Sequence, residues 1–319
     1  VVHVVSAAAE HPAVSFDVCQ TFVVAGGAFR GRLVRLSSSV TEIVERHKDP
    51  DVVSELLCEA LVSAVALAAG IKYDGVFTLQ AQGNGPVHTL VADITSEGHL
   101  RGCAKFDEDK LDVAMMRGKP EHLAPHLLGT GHLAFTVDQG PDTERYQGIV
   151  ELSGTNIAES VHNYFRQSEQ IASAMMAAVA PPDKDHKDWR AAAIVLQRMP
   201  DIGGRPVLND EDAEEAWRTA VILMGSVTKK EIVDITLPSE VLLHRLFATI
   251  GVNPTKARPI QFGCRCSRER SERILASFPA EEVRALAENG VIRMTCEFCR
   301  TDYVFSETEI DKLTLRDQA

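Results

Sequence analysis

Residues 75–93 read Gly-Val-Phe-Thr-Leu-Gln-Ala-Gln-Gly-Asn-Gly-Pro-Val-His-Thr-Leu-Val-Ala-Asp. Two runs rich in β-branched and apolar residues flank the turn-forming Gly83-Asn84-Gly85-Pro86, so the stretch predicts an antiparallel hairpin. Upstream, residues 52–69 are apolar almost all round and stop at Gly70, which predicts a helix buried on every side with a glycine at its end. Downstream, residues 132–137 and 145–152 are further strand candidates. Residues 157 to about 169 read as a helix with Glu159, His162, Asn163 and Arg166 on its polar side. Neighbouring strands precede that helix, so the fold class expected is α+β: an N-terminal antiparallel sheet packed with helices rather than a doubly wound parallel sheet.

Further along, Pro181-Pro182 followed by Asp183-Lys-Asp-His-Lys-Asp188 marks one boundary, and Asn253-Pro254 with Pro259 marks another. The expected division is 1–180 as the α+β core domain, 181–257 as a helical linker and 258–319 as a small C-terminal module. The linker reads as three helices. The first, 188–199, is stopped by Pro200; the second, 210–224, opens on Asp210, Glu211, Asp212, Glu214 and Glu215; the third, 238–250, opens on Pro238 and ends at Gly251. Their apolar faces, such as Ile194-Val-Leu196 and Val221-Ile-Leu223, require cover. In the last part, 279–289 predicts a short helix, and 291–295 and 303–305 predict strands.

The chain has 319 residues, 33 Lys plus Arg against 45 Asp plus Glu, and a net charge of −12, of which −9 lies in residues 1–180. That acidity argues against a nucleic-acid or anionic-membrane partner, which a basic stripe would recognise. A hydrophobic content of 45% argues against wholesale disorder. The first basic residue is Arg30, so residues 1–28 lack the positive start of a secretion signal. The longest apolar stretch, 60–71, is interrupted by Ser63 and is about half a membrane span. A cytoplasmic protein without membrane attachment is the expectation.

Cysteine placement is the most informative part of the composition. Cys19, Cys58 and Cys103 stand singly, whereas Cys264, Cys266, Cys296 and Cys299 fall within 36 positions. In a cytosolic chain such a cluster points to metal or redox chemistry before a structural disulfide framework. Cys264-Arg-Cys266 and Cys296-Glu-Phe-Cys299 are two close thiolate pairs separated by 29 residues, a spacing that lets them converge on one tetrahedral zinc ion. No histidine follows His244, so a complete tetrahedral set here is all cysteine. A segment of about 60 residues is marginal without a staple, and structural zinc supplies an apparent ~10–16 kcal/mol in finger peptides. Metal loss is therefore expected to unfold it.

Several chemistries stay open on spacing alone. A closed zinc site can serve only as a staple. Each cysteine also stands beside a potential disulfide partner, which permits a redox switch. A disulfide oxidoreductase at Cys296 and Cys299 needs the pair to open a helix in a βαβ unit, against the hairpin knuckle suggested by Phe298 and Tyr303-Val-Phe305. A zinc ribbon binding nucleic acid or a protein would use Arg265, Arg268, Arg270 and Arg273, with Glu269 and Glu272 interleaved.

Other residues carry less. His122 and His126 with His132 nearby have metal-ligand spacing, but Pro120, Pro125 and Gly129 interrupt the helix they need. Gly26-Gly27 and Gly129-Thr-Gly131 are too short for phosphate loops. Ser153-Gly-Thr and Ser37-Ser-Ser lack a base partner and read as turns. Cys19, Cys58 and Cys103 read as buried small hydrophobes, and Met175-Met176 with its alanine neighbours reads as helix packing.

The run Phe262-Gly-Cys-Arg-Cys-Ser-Arg-Glu-Arg with Cys296-Glu-Phe-Cys-Arg-Thr-Asp-Tyr-Val-Phe resembles the zinc centre of the bacterial redox-regulated heat-shock chaperone family of thirty-three kilodaltons. Ile71-Lys-Tyr-Asp-Gly, Leu79-Gln-Ala-Gln-Gly-Asn-Gly-Pro, Tyr146-Gln-Gly-Ile-Val-Glu-Leu, Tyr164-Phe-Arg-Gln-Ser-Glu-Gln, Ile194-Val-Leu-Gln-Arg-Met-Pro and Leu242-Leu-His-Arg-Leu-Phe resemble it in the same order, from about Phe16 to Phe305. Residues before Phe16 match nothing in it, and Ile171-Ala172 stands where Pro-Thr often follows Ser-Glu-Gln. The resemblance implies an ATP-independent holdase, not an enzyme, that is inactive when reduced and bound to one Zn2+ through Cys264, Cys266, Cys296 and Cys299. It further implies disulfides Cys264–Cys266 and Cys296–Cys299 on oxidation, zinc release, unfolding of a metastable linker, an activated homodimer, unfolded proteins as clients and ATP-dependent foldases as partners.

Overall fold

The computed structural model describes residues 16–140, 143, 146–165, 171–199 and 210–315. In chain order, β1 (Val18–Val24) and β2 (Phe29–Leu36) form a hairpin, followed by α1 (Ser38–His47) and α2 (Asp51–Ala68). Next come β3 (Val76–Gly83), β4 (Val87–Thr95) and β5 (His99–Phe106), then α3 (Glu108–Met115), α4 (Leu123–Leu128), β6 (Gly131–Asp138), β7 (Tyr146–Glu151), α5 (Ile157–Tyr164), β8 (Ser173–Ala180) and β9 (Arg190–Arg198). After α6 (Asp210–Gly225), α7 (Lys229–Ile232) and α8 (Ser239–Phe247), three short strands β10 (Val252–Pro254), β11 (Arg258–Pro259) and β12 (Gln261–Phe262) lead to the C-terminal module. That module holds α9 (Arg268–Ala276), α10 (Ala280–Ala285), β13 (Val291–Thr295), β14 (Asp302–Ser306) and α11 (Glu307–Leu315).

Two six-stranded sheets dominate. One runs β10-β1-β2-β9-β8 with β11 also on β1, and the other runs β12-β5-β4-β3-β6-β7. All pairings among β1–β11 are antiparallel, and only β12 joins its neighbour β5 in parallel. The fold class is thus α+β. The predicted hairpin is β3–β4, with Val76 opposite Thr95 and Gln82 opposite Thr89.

Helix α2 lies between the sheets, touching β3, β4 and β5 on one side and β2, β8 and β9 on the other. Its almost all-round apolar sequence follows from that position, because beyond its first turn only Glu55 and Glu59 interrupt a buried surface. Gly102 in β5 allows the close approach: a Cβ there would lie 2.9 Å from Leu61 Cδ2 and 3.1 Å from Leu57 Cδ1.

Helices α6, α7 and α8 cover the other face of the β1-β2-β9-β8 sheet. Phe22, Phe29, Leu33, Ile194 and Leu196 of the strands join Ala220, Met224, Leu242, Leu243, Leu246 and Phe247 in a second core. Phe22 stacks on Phe247 at 5.6 Å, and Phe29 meets Trp217 edge-on at 5.3 Å. Arg35, fully buried in β2, ties the connection after α7 to the sheet: Nε donates to Ile232 O at 3.0 Å, Nη1 to Leu237 O at 2.5 Å and Nη2 to Asp234 O.

Two local expectations are overturned. Residues 188–199 do not form a helix; β9 is a strand paired with β2 and β8. Its neighbours are α2 on one face and the α6–α8 layer on the other, so Ala191–Leu196 are buried without alternation and mimic a helical apolar run. For the same reason Met175 and Met176 belong to strand β8, not to a helix. The helix begun at Ile157 is α5, but residues 166–170, including the expected end near 169 and the Ser168-Glu-Gln before the departure, lie outside the described residues, as do Arg145, Pro200 and residues 1–15.

The C-terminal module has a small core of its own, made by Leu275, Val283, Ile292, Phe305 and Ile310. Five buried side chains are few for a separate folding unit, which is the situation in which a metal staple is needed.

Candidate metal centre

Two turns bring the cysteines together. Cys264 and Cys266 occupy the loop between β12 and α9, and Ser267 ends that loop by accepting a hydrogen bond from Arg270 N as the α9 N-cap. Cys296 and Cys299 occupy the turn between β13 and β14. Cys296 N donates to Thr301 O and Arg300 N donates to Cys296 O, each at 2.9 Å, and Arg300 takes the left-handed conformation (φ 56°) that closes the knuckle. A side-chain-bearing residue there costs roughly 1–2 kcal/mol, which the β13–β14 ladder offsets by fixing both ends of the turn.

The four sulfur atoms lie within 4.8 Å of one another, with Cys264 to Cys296 at 3.7 Å and Cys266 to Cys299 at 3.3 Å. A tetrahedron with zinc–sulfur bonds of about 2.3 Å has edges of about 3.8 Å, so the set is sized for such an ion. Among the described residues no other group of three or more His, Cys, Asp and Glu ligand atoms converges this way. His122, His126 and His132 do not; His126 instead meets Ala114 O at 2.9 Å. The centre therefore offers a metal ion four sulfur ligands, Cys299 buried and the other three partly exposed.

The electrostatics around the sulfurs are uneven. Burial pushes the Cys266 thiol up to about 12 even though Tyr303 donates to it at 3.2 Å, and burial also raises Cys296. Burial raises Cys299 too, but hydrogen bonds with Thr301, whose hydroxyl lies 3.2 Å away, together with those with Cys266 and Cys296 outweigh it and bring the thiol down to about 7. A bound dication reverses the cost at the raised sites, since it stabilises the deprotonated thiolate directly.

The centre is docked onto the first part of the chain through charged residues of which the sequence singled out only Arg265. Asp93 in β4 points away from the core face formed by Ala92 and Ile94. Its carboxylate accepts from Arg101 Nε at 2.9 Å, Arg101 Nη2 at 2.6 Å, Arg265 Nη2 at 2.7 Å and Thr78 Oγ1 at 2.6 Å. Arg101 also reaches Cys264 Sγ at 3.7 Å and stacks on the Phe298 ring at 3.8 Å, so one guanidinium touches both cysteine turns. His47 Nε2 donates to Phe298 O at 3.0 Å. Of the four arginines considered for a basic face, Arg265 is held by Asp93 and Arg268 by Glu309 and Glu272. No local pattern could have flagged Asp93 or Arg101, because each reads as an ordinary outward strand residue until the module lies over it.

Cys19, Cys58 and Cys103 are buried elsewhere in the fold. Burial raises all three thiols, Cys19 to about 11 and Cys103 to about 12, which keeps them unreactive.

Residues 17–306 match the family model described as Hsp33 protein. The 33 kDa chaperonin of Caulobacter vibrioides (strain NA1000 / CB15N) is 36% identical over 289 residues, spanning 90% of this chain and 94% of that protein. The 33 kDa chaperonin of Pseudomonas syringae pv. tomato is 34% identical over 307 residues, 95% of each chain. Among solved structures, the crystal structure of the 33 kDa chaperonin (heat shock protein 33 homologue) from Thermotoga maritima superposes with a TM-score of 0.75 at 25% identity, covering 95% of this chain and 99% of that one. With the four-cysteine centre, the two sheets and this match over most of the sequence, the chain belongs to the Hsp33 family.

Proposed function

We propose that the protein is a redox-regulated, ATP-independent chaperone of the cytoplasm that holds unfolding proteins during oxidative stress. The observation that carries this is the convergence of all four cysteines on one small centre that is also the docking point of the module. In the reduced state Cys264, Cys266, Cys296 and Cys299 hold one Zn2+ per chain. The ion supplies a structural cross-link between the two turns and stabilises the thiolates. No substrate position is needed, in keeping with a binding protein rather than an enzyme.

Oxidation by hydrogen peroxide takes two electrons from each pair of thiolates, forming one sulfur–sulfur bond per pair while one peroxide per pair takes up two protons and leaves as two waters. The pairs Cys264–Cys266 and Cys296–Cys299 follow the family resemblance, and all the sulfurs are near enough that neither bond needs long movement. With the ligands consumed, the module loses its staple and its hold on Asp93. Residues 258–319 thus serve as the redox-switch domain, 1–180 as the core domain and 181–257 as the linker, with β9 remaining in the sheet and α6–α8 as the part that detaches. Their departure uncovers Phe22, Phe29, Leu33, Ile194 and Leu196, an apolar sheet face suited to unfolded clients. The same face on a second chain is a route to the activated homodimer, and clients then pass to ATP-dependent foldases, as the resemblance implies.

The test measures metal and function in one sample. Reduced protein is expected to carry one zinc per chain, and peroxide with heat is expected to release it as the protein gains suppression of client aggregation by light scattering. Oxidised, zinc-free protein that never suppresses aggregation refutes the proposal.

A further inference from the structure

The four cysteines are not equally open to an incoming molecule. A cleft of about 260 Å3 lies between α9 and the β13–β14 turn, and Cys266 and Cys296, both partly exposed, are among its walls. Cys299 is only 4% exposed. Cys264 is partly exposed but stands outside the walls of the cleft, and its sulfur meets the Arg101 guanidinium at 3.7 Å. The cleft therefore reaches one cysteine of each sequence pair and leaves the other member aside.

The distances between the sulfurs support the same division of roles. Cys266 lies 3.3 Å from Cys299, Cys264 lies 3.7 Å from Cys296, and all four are within 4.8 Å of one another. An oxidised Cys266 or Cys296 thus finds its second sulfur at Cys264 or Cys299. This holds whether the disulfide closes with the neighbour in sequence or with the nearest sulfur in space.

The remaining walls say which oxidants fit. Ile274, Met294 and the Phe298 and Tyr303 rings give the cleft an apolar lining, and the exposed Phe278 lies one turn beyond Ile274 on the same side of α9. Two groups can donate to peroxide oxygens. The Tyr303 hydroxyl lies 3.2 Å from Cys266 Sγ, and the exposed Arg270 pairs with no carboxylate of the described residues. Apolar walls with a few polar groups beside the reactive atoms suit a small molecule with a hydrocarbon body and one polar end. At about 30 Å3 per water-sized unit the cleft takes a molecule of about nine heavy atoms.

We propose that this cleft is where the oxidant reaches the centre and that it takes small alkyl hydroperoxides, with Cys266 and Cys296 as the attacked sulfurs and Cys264 and Cys299 as the resolving ones. The attacked thiolate takes the outer peroxide oxygen: a sulfur–oxygen bond forms, the oxygen–oxygen bond breaks, and the alkoxide leaves and gains a proton from water. The resolving thiolate then attacks the sulfenic sulfur, the disulfide forms, and hydroxide leaves and is protonated. Two thiolates, one hydroperoxide and two protons become one disulfide, one alcohol and one water. This deepens the redox reading of the cysteines and rests on it.

The test uses full-length, reduced, zinc-loaded protein with tert-butyl hydroperoxide and hydrogen peroxide at one temperature, with zinc release followed by a colorimetric chelator. The alkyl hydroperoxide is expected to release zinc at least as fast as hydrogen peroxide. Ile274→Trp, at a cleft position 44% exposed, narrows the cleft while leaving every cysteine in place, and should lower the ratio of the two rates at least tenfold. A second measurement needs no variant: N-ethylmaleimide at less than one label per chain, located by mass spectrometry, should fall mainly on Cys266 and Cys296. A ratio below one in the parent protein, a smaller fall in Ile274→Trp, or label mainly on Cys264 and Cys299 each overturns the proposal. Zinc released by hydrogen peroxide while the ratio fails sinks this proposal alone, whereas zinc retained against both oxidants sinks the redox reading with it.

Discussion

Arg265 sits between Cys264 and Cys266 and ion-pairs with Asp93 of β4, so its truncation measures how firmly the module is docked. Arg265→Ala removes the 2.7 Å bond to Asp93, between a guanidinium 37% exposed and a carboxylate 6% exposed. A hydrogen bond to a charged group is worth about 1.5–3 kcal/mol, and the exposure of the arginine reduces that to about 1 kcal/mol. Asp93 keeps both bonds from Arg101 and the one from Thr78, so no buried charge is orphaned. The expected effect is confined to docking: about a fivefold rise in the opening equilibrium, with core stability unchanged. Hydrogen exchange reads it at Gln261 and Gly263, whose amides donate to Gly98 O and Leu100 O at the junction. Both should exchange about fivefold faster in Arg265→Ala, while amides of β2 and β9 stay as they are. Asp93→Asn is the contrasting case, because it leaves the Arg101 guanidinium, 11% exposed, without its counter-charge, at a cost of about 3–5 kcal/mol. Unchanged exchange at Gln261 and Gly263 in Arg265→Ala, or an Asp93→Asn protein no less stable than Arg265→Ala, refutes the view that Asp93 couples module and core.

Three other outcomes are expected. Chelation of the metal from reduced protein should abolish exchange protection in the β13–β14 ladder while the melting of the two-sheet core stays within a few degrees, as followed by calorimetry. Phe247→Ala, which deletes a fully buried ring stacked on Phe22, should loosen the α6–α8 layer by about 3–5 kcal/mol and give fluorescent-dye binding and aggregation suppression without oxidation; a variant that stays inactive when reduced counts against that layer as the cover. Glu59 of α2 accepts from Ile157 N at 2.8 Å and Ala158 N at 3.3 Å at the start of α5, and burial, only partly offset by those bonds, raises it from 4.5 to about 7. The folded state therefore retains a proton that the unfolded state has lost between pH 4.5 and 7, and stability falls by about 3 kcal/mol as pH rises through that window. Urea unfolding of Glu59→Gln should lack this decline, gaining on the parent protein by about that amount from pH 5 to pH 8.

The parts of the fold that could be read from sequence are those whose local pattern survives tertiary packing. The β3–β4 hairpin shows because its turn residues and alternation are intact, and α2 shows because a helix clasped between sheets must be apolar all round. The four cysteines show because ligand spacing within each turn is a local property. Strand β9 failed for a physical reason: helices cover both its faces, so Arg190–Arg198 carries no alternation and its three successive alanines favour a helix. Asp93, Arg101 and His47 were beyond reach, since their roles arise only where β4, β5 and α1 meet turns some 160 to 250 residues later in the chain.

The central claim is that losing the metal from the four cysteines frees the helices covering the β1-β2-β9-β8 sheet. Hydrogen exchange compared between reduced, zinc-loaded protein and peroxide-oxidised, zinc-free protein tests it most directly. The account predicts lost protection in α6, α8 and the β13–β14 ladder while β2, β4 and β9 remain protected. Protection retained across α6 and α8 after complete zinc release contradicts it.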